Sequence, residues 1–280
     1  MNKAHFFKSL HVDQSSLAFT CKDSDCIIVL GTMLSRDNKE LLDEVLQAQN
    51  NGAKIAYLFT MEDGLLCDKA TFFSRYETGS EEGVLGMLAK ALCFETLEDG
   101  KLKEYFEELD EGYISAESNI GEEEIEEIAS LCNNSKNPML IVGEDIFAHK
   151  RVDNIAMLVS VCANNSSLKV LAQSQTVSTK KQDIPEEIED LRSFDGTVVY
   201  TCRALNDEET HQLIGSSQFQ VAAKVKDKQP ISIMIAGQQS DRVFVLDETL
   251  KGTIALMPSS DIKSQTYRYA VAKIVKREVQ

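Results

Sequence analysis

Residues 25–59 read DCIIVLGTMLSRDNKELLDEVLQAQNNGAKIAYLF, and the rest of the chain is organised around them. Residues 26–30 form an unbroken apolar run that ends at Gly31, which is typical of a strand buried on both faces. Residues 41–48 then place apolar side chains on one helical face, and Gly52 follows the last turn. A second buried strand is predicted over residues 55–59. The three elements predict a β-α-β unit, whose crossover should be right-handed.

The same alternation of strands and helices continues to about residue 172. Further strands are predicted over residues 70–73, 138–142 and 168–172, and helices over residues 84–94, 121–132 and 155–162. The pattern predicts an α/β fold with a doubly wound, mostly parallel sheet that helices cover on both faces, giving three layers. We assign residues 1–185 to this domain.

The sequence changes in character after residue 173. Residues 173–190 are polar and acidic, so we expect a connection there and a domain boundary between residues 173 and 197. Strands are predicted over residues 197–202, 219–225, 231–236, 242–246, 253–257 and 267–275, with turn residues between them. We therefore expect a small antiparallel β domain, a barrel or a sandwich, over residues 186–280.

The chain is strongly acidic, with a formal net charge of −16 over 280 residues. This charge argues against nucleic-acid binding, because phosphate contacts need a basic surface. It favours solubility and also suits a partner with a basic face. Residues 95–127 hold fourteen acidic residues and two lysines. We interpret this segment as a solvated, partly helical surface, with a specific cation site as the alternative.

The seven cysteines are scattered, and no pair of them is spaced as C-x-x-C. This favours free thiols, mostly buried, over disulfides or metal ligands. The four histidines have no cysteine nearby in sequence, so we expect no iron–sulfur or zinc site. The N-terminus has no signal-peptide core, and no apolar run approaches the roughly 18 residues that span a bilayer. We therefore expect a cytoplasmic chain without direct membrane insertion.

Two loops occupy the place where doubly wound folds hold phosphates. Gly31 and Thr32 follow the first buried strand and precede a helix, but they lack the three glycines of a dinucleotide-binding fingerprint. Gly143 follows a later strand, and the acidic residues after it would repel an anion. His149, a little further on, is interpreted as a surface or helix-cap histidine. The residues alone predict no catalytic site.

Four segments resemble, in order, the molybdopterin oxidoreductase superfamily, and most closely the large iron–sulfur subunit of bacterial NADH:quinone oxidoreductase (respiratory complex I). The first is residues 24–31 with the following helix and residues 52–58. The second is RYETGSEEG at residues 75–83, which is similar to a helix start in that family. The third is IGEEEI at residues 120–125 with Ala129. The fourth is KNPMLIVG at residues 136–143 with His149 beyond it.

The resemblance implies a cofactor-free chain. The iron–sulfur cysteines of the family lie in N-terminal domains that have no counterpart here, so clusters are expected only in other domains or subunits. The cofactor-binding Asp-Pro-Arg of the family is replaced by Thr60-Met-Glu62-Asp63. The positions Gly31, Thr32, Glu62, Asp63, Gly143 and His149 are therefore expected to be degenerate ligand loops.

The resemblance also implies a function and partners. We expect a structural part of an NADH dehydrogenase (quinone) that supports electron transfer by other domains, with no catalysis by this chain alone. Its partners would be other peripheral-arm subunits, which would hold it at the inner membrane from the cytoplasmic side. The alternative is an independent nucleotide-binding module resembling the central domain of thiamine-diphosphate enzymes, although their G-D-G…N motif does not occur here.

Overall fold

A computed structural model describes residues 2–171, 184–191, 194–262 and 266–277. The first part of the chain forms a six-stranded sheet in the order β1-β6-β5-β2-β3-β4, and every neighbouring pair is parallel. Its strands are β1 (Leu17–Ala18), β2 (Cys26–Leu30), β3 (Lys54–Phe59), β4 (Phe72–Arg75), β5 (Pro138–Val142) and β6 (Lys169–Leu171). The predicted parallel α/β sheet is confirmed, and the strand expected over residues 70–73 lies two residues later.

Ten helices accompany this sheet within the described residues. They are α1 (Asn2–Ser9), α2 (Leu34–Asp37), α3 (Lys39–Asn50), α4 (Gly64–Cys67), α5 (Glu81–Cys93), α6 (Lys101–Glu107), α7 (Glu111–Ser118), α8 (Glu122–Asn133), α9 (Glu144–Phe147) and α10 (Val152–Asn165). Three short 3-10 turns span Gln14–Ser16, Phe94–Thr96 and Glu208–His211. No helix in the described part of the chain has the length and apolar character needed to cross a membrane.

The two faces of the first sheet are covered differently, because alternate residues of β2 point to opposite sides. Ile28 and Leu30 pack with α1, α5, α8 and α10 in one apolar core. Ile27 and Val29 pack in a second core with α3 and with residues of the second sheet. Helices therefore cover one face fully, whereas the second sheet shares the covering of the other face.

The second sheet has seven strands in the order β12-β7-β11-β8-β10-β9-β13. They are β7 (Val198–Arg203), β8 (Gln212–Gly215), β9 (Pro230–Ile235), β10 (Gln238–Leu246), β11 (Ile254–Ser259), β12 (Tyr269–Val271) and β13 (Lys273–Lys276). The pairs β7–β11 and β8–β10 are parallel and the other four pairs are antiparallel. The sheet is thus mixed, whereas the sequence predicted an antiparallel one. Side chains alternate in the same way in parallel and antiparallel strands, so the sequence pattern did not distinguish the two kinds of pairing.

One predicted strand of this region is wrong. Residues 219–225 were expected to be extended, but they overlap the helix α11 (Ser217–Ala223). The Ser216 side chain caps this helix by accepting a hydrogen bond from the Phe219 backbone N–H at 3.0 Å. Lys224 ends it in the left-handed conformation, with φ of 55°. The strand β8 just before the helix, over residues 212–215, was not predicted.

Residues 184–191, which we call the strap, lie across α5. A Cβ atom added to Gly86 would stand 2.5 Å from Ile188 Cδ1, and one added to Gly83 would stand 3.1 Å from Leu191 Cδ1. Glycine inside a helix costs stability relative to alanine, and here Gly86 makes room for the strap while Gly83 makes room for both the strap and Ile114 of α7. The side chain of Asn154 in α10 fixes the strap further, through hydrogen bonds with the Glu186 backbone at 2.6 and 2.9 Å.

The boundary predicted between residues 173 and 197 falls mostly outside the described residues, and the division at residue 185 stays a prediction. All seven cysteines are free thiols, as expected, and only Cys67 is not buried. Residues 95–127 form α6, α7 and the first turns of α8. Most of the carboxylates in this segment are exposed, which agrees with a solvated, partly helical surface.

Candidate functional site

The candidate site lies at the carboxyl edge of the parallel sheet, where open α/β sheets bind ligands. The chain runs outward from β2 through β3 to β4, then returns to the other side of β2 with β5. The strand order therefore reverses between β2 and β5, and a ligand crevice is expected between the loops that follow them. These loops contain Gly31 and Thr32 after β2 and Gly143 after β5.

Backbone contacts close this crevice. The Gly143 N–H donates to the Leu30 carbonyl at 2.8 Å, and the Asp145 N–H donates to the Gly31 carbonyl at 3.1 Å. A Cβ atom on Gly143 would lie 2.2 Å from the Gly31 oxygen, so only glycine permits this approach. Gly31, Thr32 and Gly143 were expected at one edge of the sheet, and the structure brings them into direct contact.

A buried arginine beside the second sheet binds the helices α2 and α9, which follow these loops. Arg268 precedes β12 and is 5% exposed. Its two terminal nitrogens donate to the two oxygens of Asp37 at 2.7 and 2.8 Å. Its Nε donates to Asp145 Oδ1 at 2.6 Å. One guanidinium therefore holds two buried carboxylates, from α2 and α9, and it binds Asp37 with the bidentate geometry that arginine favours.

Hydroxyl groups complete this cluster. Tyr269 Oη lies 2.9 Å from Asp145 Oδ2, to which it donates, and 2.6 Å from Thr60 Oγ1. Thr32 Oγ1 donates to Asp37 Oδ2 at 2.7 Å. Burial raises the pKa of Asp145 to about 6, although Arg268 acts in the opposite direction. We call Asp37, Asp145, Arg268, Tyr269 and Thr60 the arginine cluster.

Glu62 and Asp63, the two acids of the loop after β3, have separate structural partners. Asp63 is buried, and its side chain accepts from the backbone N–H groups of Ser35 at 2.9 Å and Leu65 at 3.3 Å. Burial raises the pKa of Asp63 above its ordinary value. Glu62 forms ion pairs with Arg75 at 3.2 Å and Lys251 at 3.3 Å. Neither acid belongs to the arginine cluster.

His149 is buried, so its interpretation as a surface residue is wrong. Its Nδ1 accepts from the Arg151 N–H at 3.1 Å, at the start of α10, which agrees with the helix-cap alternative. Its Nε2 lies 3.7 Å from Glu81 Oε2. Burial lowers the pKa of His149 to about 4, so the ring is neutral at pH 7.

Glu81 is a buried acid, and the residues next to it in sequence did not predict its burial. It lies in the first turn of α5, where a carboxylate normally faces solvent near the positive end of the helix dipole. Here the Tyr267 hydroxyl donates to Glu81 Oε1 at 2.6 Å. Burial raises the pKa of Glu81 to about 8. The hint in the sequence is Tyr267-Arg268-Tyr269, a polar and aromatic triplet at the start of a predicted strand.

No group of three or more histidine, cysteine or acidic side chains with the arrangement of a metal site occurs among the described residues. Within the arginine cluster, each carboxylate is held by a guanidinium and by hydroxyl groups of this chain. The arrangement can hold the two sheets together, because Asp37 and Asp145 of the first part of the chain both pair with Arg268 beside the second sheet.

No family model and no curated protein matches the sequence. Among solved structures, the chain is similar to the acetylene hydratase from Pelobacter acetylenicus, with a TM-score of 0.50 and 17% sequence identity. The similarity covers 59% of this chain and 24% of that protein, so the chain matches about a quarter of its length. At this level of identity the similarity concerns the fold alone.

Proposed function

We propose that this chain is a non-catalytic, structural part of an NADH:quinone oxidoreductase, similar to the C-terminal part of the large iron–sulfur subunit. It would support electron transfer carried out by other domains and dock partner subunits at the cytoplasmic side of the inner membrane. The observation that carries this proposal is the closed crevice at the strand-order reversal. There Gly143 touches the loop after β2, and Arg268 binds Asp37 and Asp145, which follow the two loops.

The charges in the crevice support a structural role. A phosphate-bearing cofactor would need free donors at this edge, yet the only guanidinium in the arginine cluster is already engaged by Asp37 and Asp145. Freeing it would leave two buried carboxylates unpaired, which costs several kcal/mol. A ligand would also meet net negative charge from those acids. The energetics therefore favour the internal ion pairs over a bound anion.

The identity of the assembly rests on the four ordered segments that resemble the large iron–sulfur subunit, and the docking role rests on the acidic surface. Residues 95–127 present mostly exposed carboxylates over α6, α7 and the start of α8. Such a surface attracts basic partners over about a Debye length, roughly 8 Å at physiological ionic strength. We therefore expect the association to weaken as salt rises.

Affinity purification from the native host tests the proposal. Tagged chain should co-purify with peripheral-arm subunits at low salt, and the isolated chain should not oxidise NADH with any acceptor. A free monomer carrying a nucleotide, or turnover by the isolated chain, would replace the proposal with an independent ligand-binding or catalytic function.

An independent nucleotide-binding module is the second candidate, and one feature favours it. A cleft of about 200 Å³ lies beside the ends of β3 and β4, with Arg75 and Lys251 in its lining. Both cations meet Glu62, so an anionic ligand would have to compete with that carboxylate. Thermal shift with ADP and flavin nucleotides tests this candidate, with Arg75→Gln as the control variant. An increase in Tm for the wild type that is lost in the variant would support binding there.

A further inference from the structure

A second and larger cleft lies away from the crevice, between the strap and the helices α6 and α7. Its volume is about 430 Å³, within the range of about 300–1,000 Å³ seen for ligand pockets. Tyr105 and Leu109 line it from the α6 side, Tyr113 from α7 and Ile188 from the strap. All four side chains are partly exposed, so the cleft offers an apolar and aromatic floor to solvent. We call this feature the strap cleft.

Both walls of the strap cleft are rigidly placed. The Tyr113 hydroxyl accepts from the Leu191 backbone N–H at 3.1 Å, which ties α7 to the strap. Ile188 is seated at Gly86 of α5, and Arg151 donates to the Glu187 carbonyl at 3.0 Å. The cleft is therefore pre-formed, which reduces the ordering cost of binding.

The rim of the cleft is acidic on both sides. Glu108 and Asp110 stand on the α6–α7 side, and Glu187 and Asp190 stand on the strap. All four residues are exposed. Asp110 Oδ1 accepts from the Tyr113 N–H at 2.9 Å as the cap of α7. Within the described residues no ion pair or hydrogen bond engages the side chains of the other three, so their charge is available to a partner.

We propose that the strap cleft docks a basic segment of a partner protein, in which an apolar side chain fills the cleft and flanking lysine or arginine residues meet the rim. The apolar floor requires an apolar anchor, because burying a charge there would be unfavourable. The carboxylates on both walls require cations on both sides of that anchor. The tyrosine rings also favour cations close to their faces. This inference rests on the docking role proposed above and states the chemistry of the partner.

Peptide binding tests the inference directly on the full chain. The probe is a fluorescein-labelled peptide, Lys-Lys-Leu-Phe-Lys-Lys, and binding is followed by fluorescence anisotropy at physiological ionic strength. The comparison peptide, Lys-Lys-Ser-Ser-Lys-Lys, keeps the charge and lacks the anchor. The rim variant is Glu108→Lys with Asp190→Lys. The matched control is Glu40→Lys with Asp43→Lys, which changes net charge equally at exposed positions of α3, outside both the cleft and residues 95–127.

The expected result has three parts. The Leu-Phe peptide should bind more tightly than the Ser-Ser peptide. The rim variant should lower the affinity for the Leu-Phe peptide by about tenfold or more, and the control variant should lower it by about twofold or less. Leu109→Ser should abolish the preference for the Leu-Phe peptide. No binding, equal affinity for both peptides, or equal losses in the rim and control variants would overturn the inference.

The purification experiment separates this inference from the proposed function. If wild-type chain captures no peripheral-arm subunit, the proposed function fails, whatever the peptide result. If wild type and the rim variant capture those subunits equally, the proposed function stands and the strap cleft is not the docking site. Circular dichroism spectra and Tm values of all variants confirm that they are folded before binding is compared.

Discussion

Replacing Arg268 with methionine should destabilise the protein strongly. The side chain is 5% exposed and makes three charge-assisted hydrogen bonds of 2.6, 2.7 and 2.8 Å to Asp145 and Asp37. Hydrogen bonds to charged groups contribute about 1.5–3 kcal/mol each. Removing one partner of a buried ion pair costs about 3–5 kcal/mol in measured cases, because a charge is left uncompensated. We expect Arg268→Met to lower the free energy of unfolding by about 3–5 kcal/mol at pH 7.5.

Protonation limits this loss at lower pH. Asp145 has a pKa of about 6 in the folded protein, and loss of Arg268 would raise it further. Below that value Asp145 is neutral and leaves one fewer buried charge unpaired. The loss of stability should therefore be smaller at pH 5.5 than at pH 7.5. Urea unfolding followed by circular dichroism measures both values, with the linear extrapolation to zero denaturant.

Two further variants make the test specific. Arg277→Met removes an ion pair to Asp241 whose side chains are 53% and 46% exposed, so it should cost far less than Arg268→Met, because water already screens the two charges. The triple variant Asp37→Asn, Arg268→Met, Asp145→Asn removes the buried charges together and should recover most of the lost stability. If Arg268→Met costs no more than Arg277→Met, or the triple variant is as unstable as the single one, the reasoning about the arginine cluster is wrong.

Three other perturbations give distinct outcomes. Glu81 has a pKa of about 8 in the folded protein against an ordinary value of 4.5, so the folded state binds the carboxyl proton more tightly than the unfolded state does. The stability that the protonated Glu81 contributes is therefore lost as pH rises from about 4.5 through 8. Glu81→Gln should flatten that decline in Tm scans from pH 5 to pH 9, and an unchanged pH profile would contradict the assignment. Gly143→Ala should cost about 1–3 kcal/mol in urea unfolding, because the added Cβ would lie 2.2 Å from a backbone oxygen. The control Gly64→Ala, where nothing lies within 4 Å, should be near neutral, and similar losses in the two variants would refute the close approach. Gly86→Val should displace Ile188 and speed limited proteolysis within residues 184–191 relative to wild type, and an unchanged cleavage rate would show that the strap does not depend on this contact.

Local patterns in the sequence predicted the first sheet well. The apolar run over residues 26–30 matches β2, and the predicted strand over residues 55–59 matches all but the first residue of β3. These elements can be recognised because an unbroken apolar run and a helical spacing of apolar residues are both patterns among residues close together in sequence. Residues 219–225 misled the same reasoning, since Phe219 and Val221 alternate as in a strand. In a strand these two residues would lie on the same face and be buried alike. Phe219 is buried and Val221 is 76% exposed, as their positions in a helix allow.

The candidate site was predicted only in part, because its defining contacts are distant in sequence. The positions of Gly31, Thr32 and Gly143 followed from the rule that strand ends share one edge of a sheet. The partners of Arg268 lie 231 and 123 residues earlier in the chain, and no spacing rule connects them. The burial of His149 likewise depends on packing against Glu81 and Tyr267, from two other segments.

The long separation in sequence between Arg268 and its two carboxylate partners has a consequence for synthesis. A ribosome makes the chain from the N-terminus, so Asp37 and Asp145 emerge long before the guanidinium that neutralises them. Until then Asp37 and Asp145 lack their guanidinium partner, and the second apolar core lacks Tyr269. The nascent chain therefore cannot complete the arginine cluster until Arg268 has emerged. A ribosome stalled before residue 268 would display a loosely held and protease-sensitive intermediate.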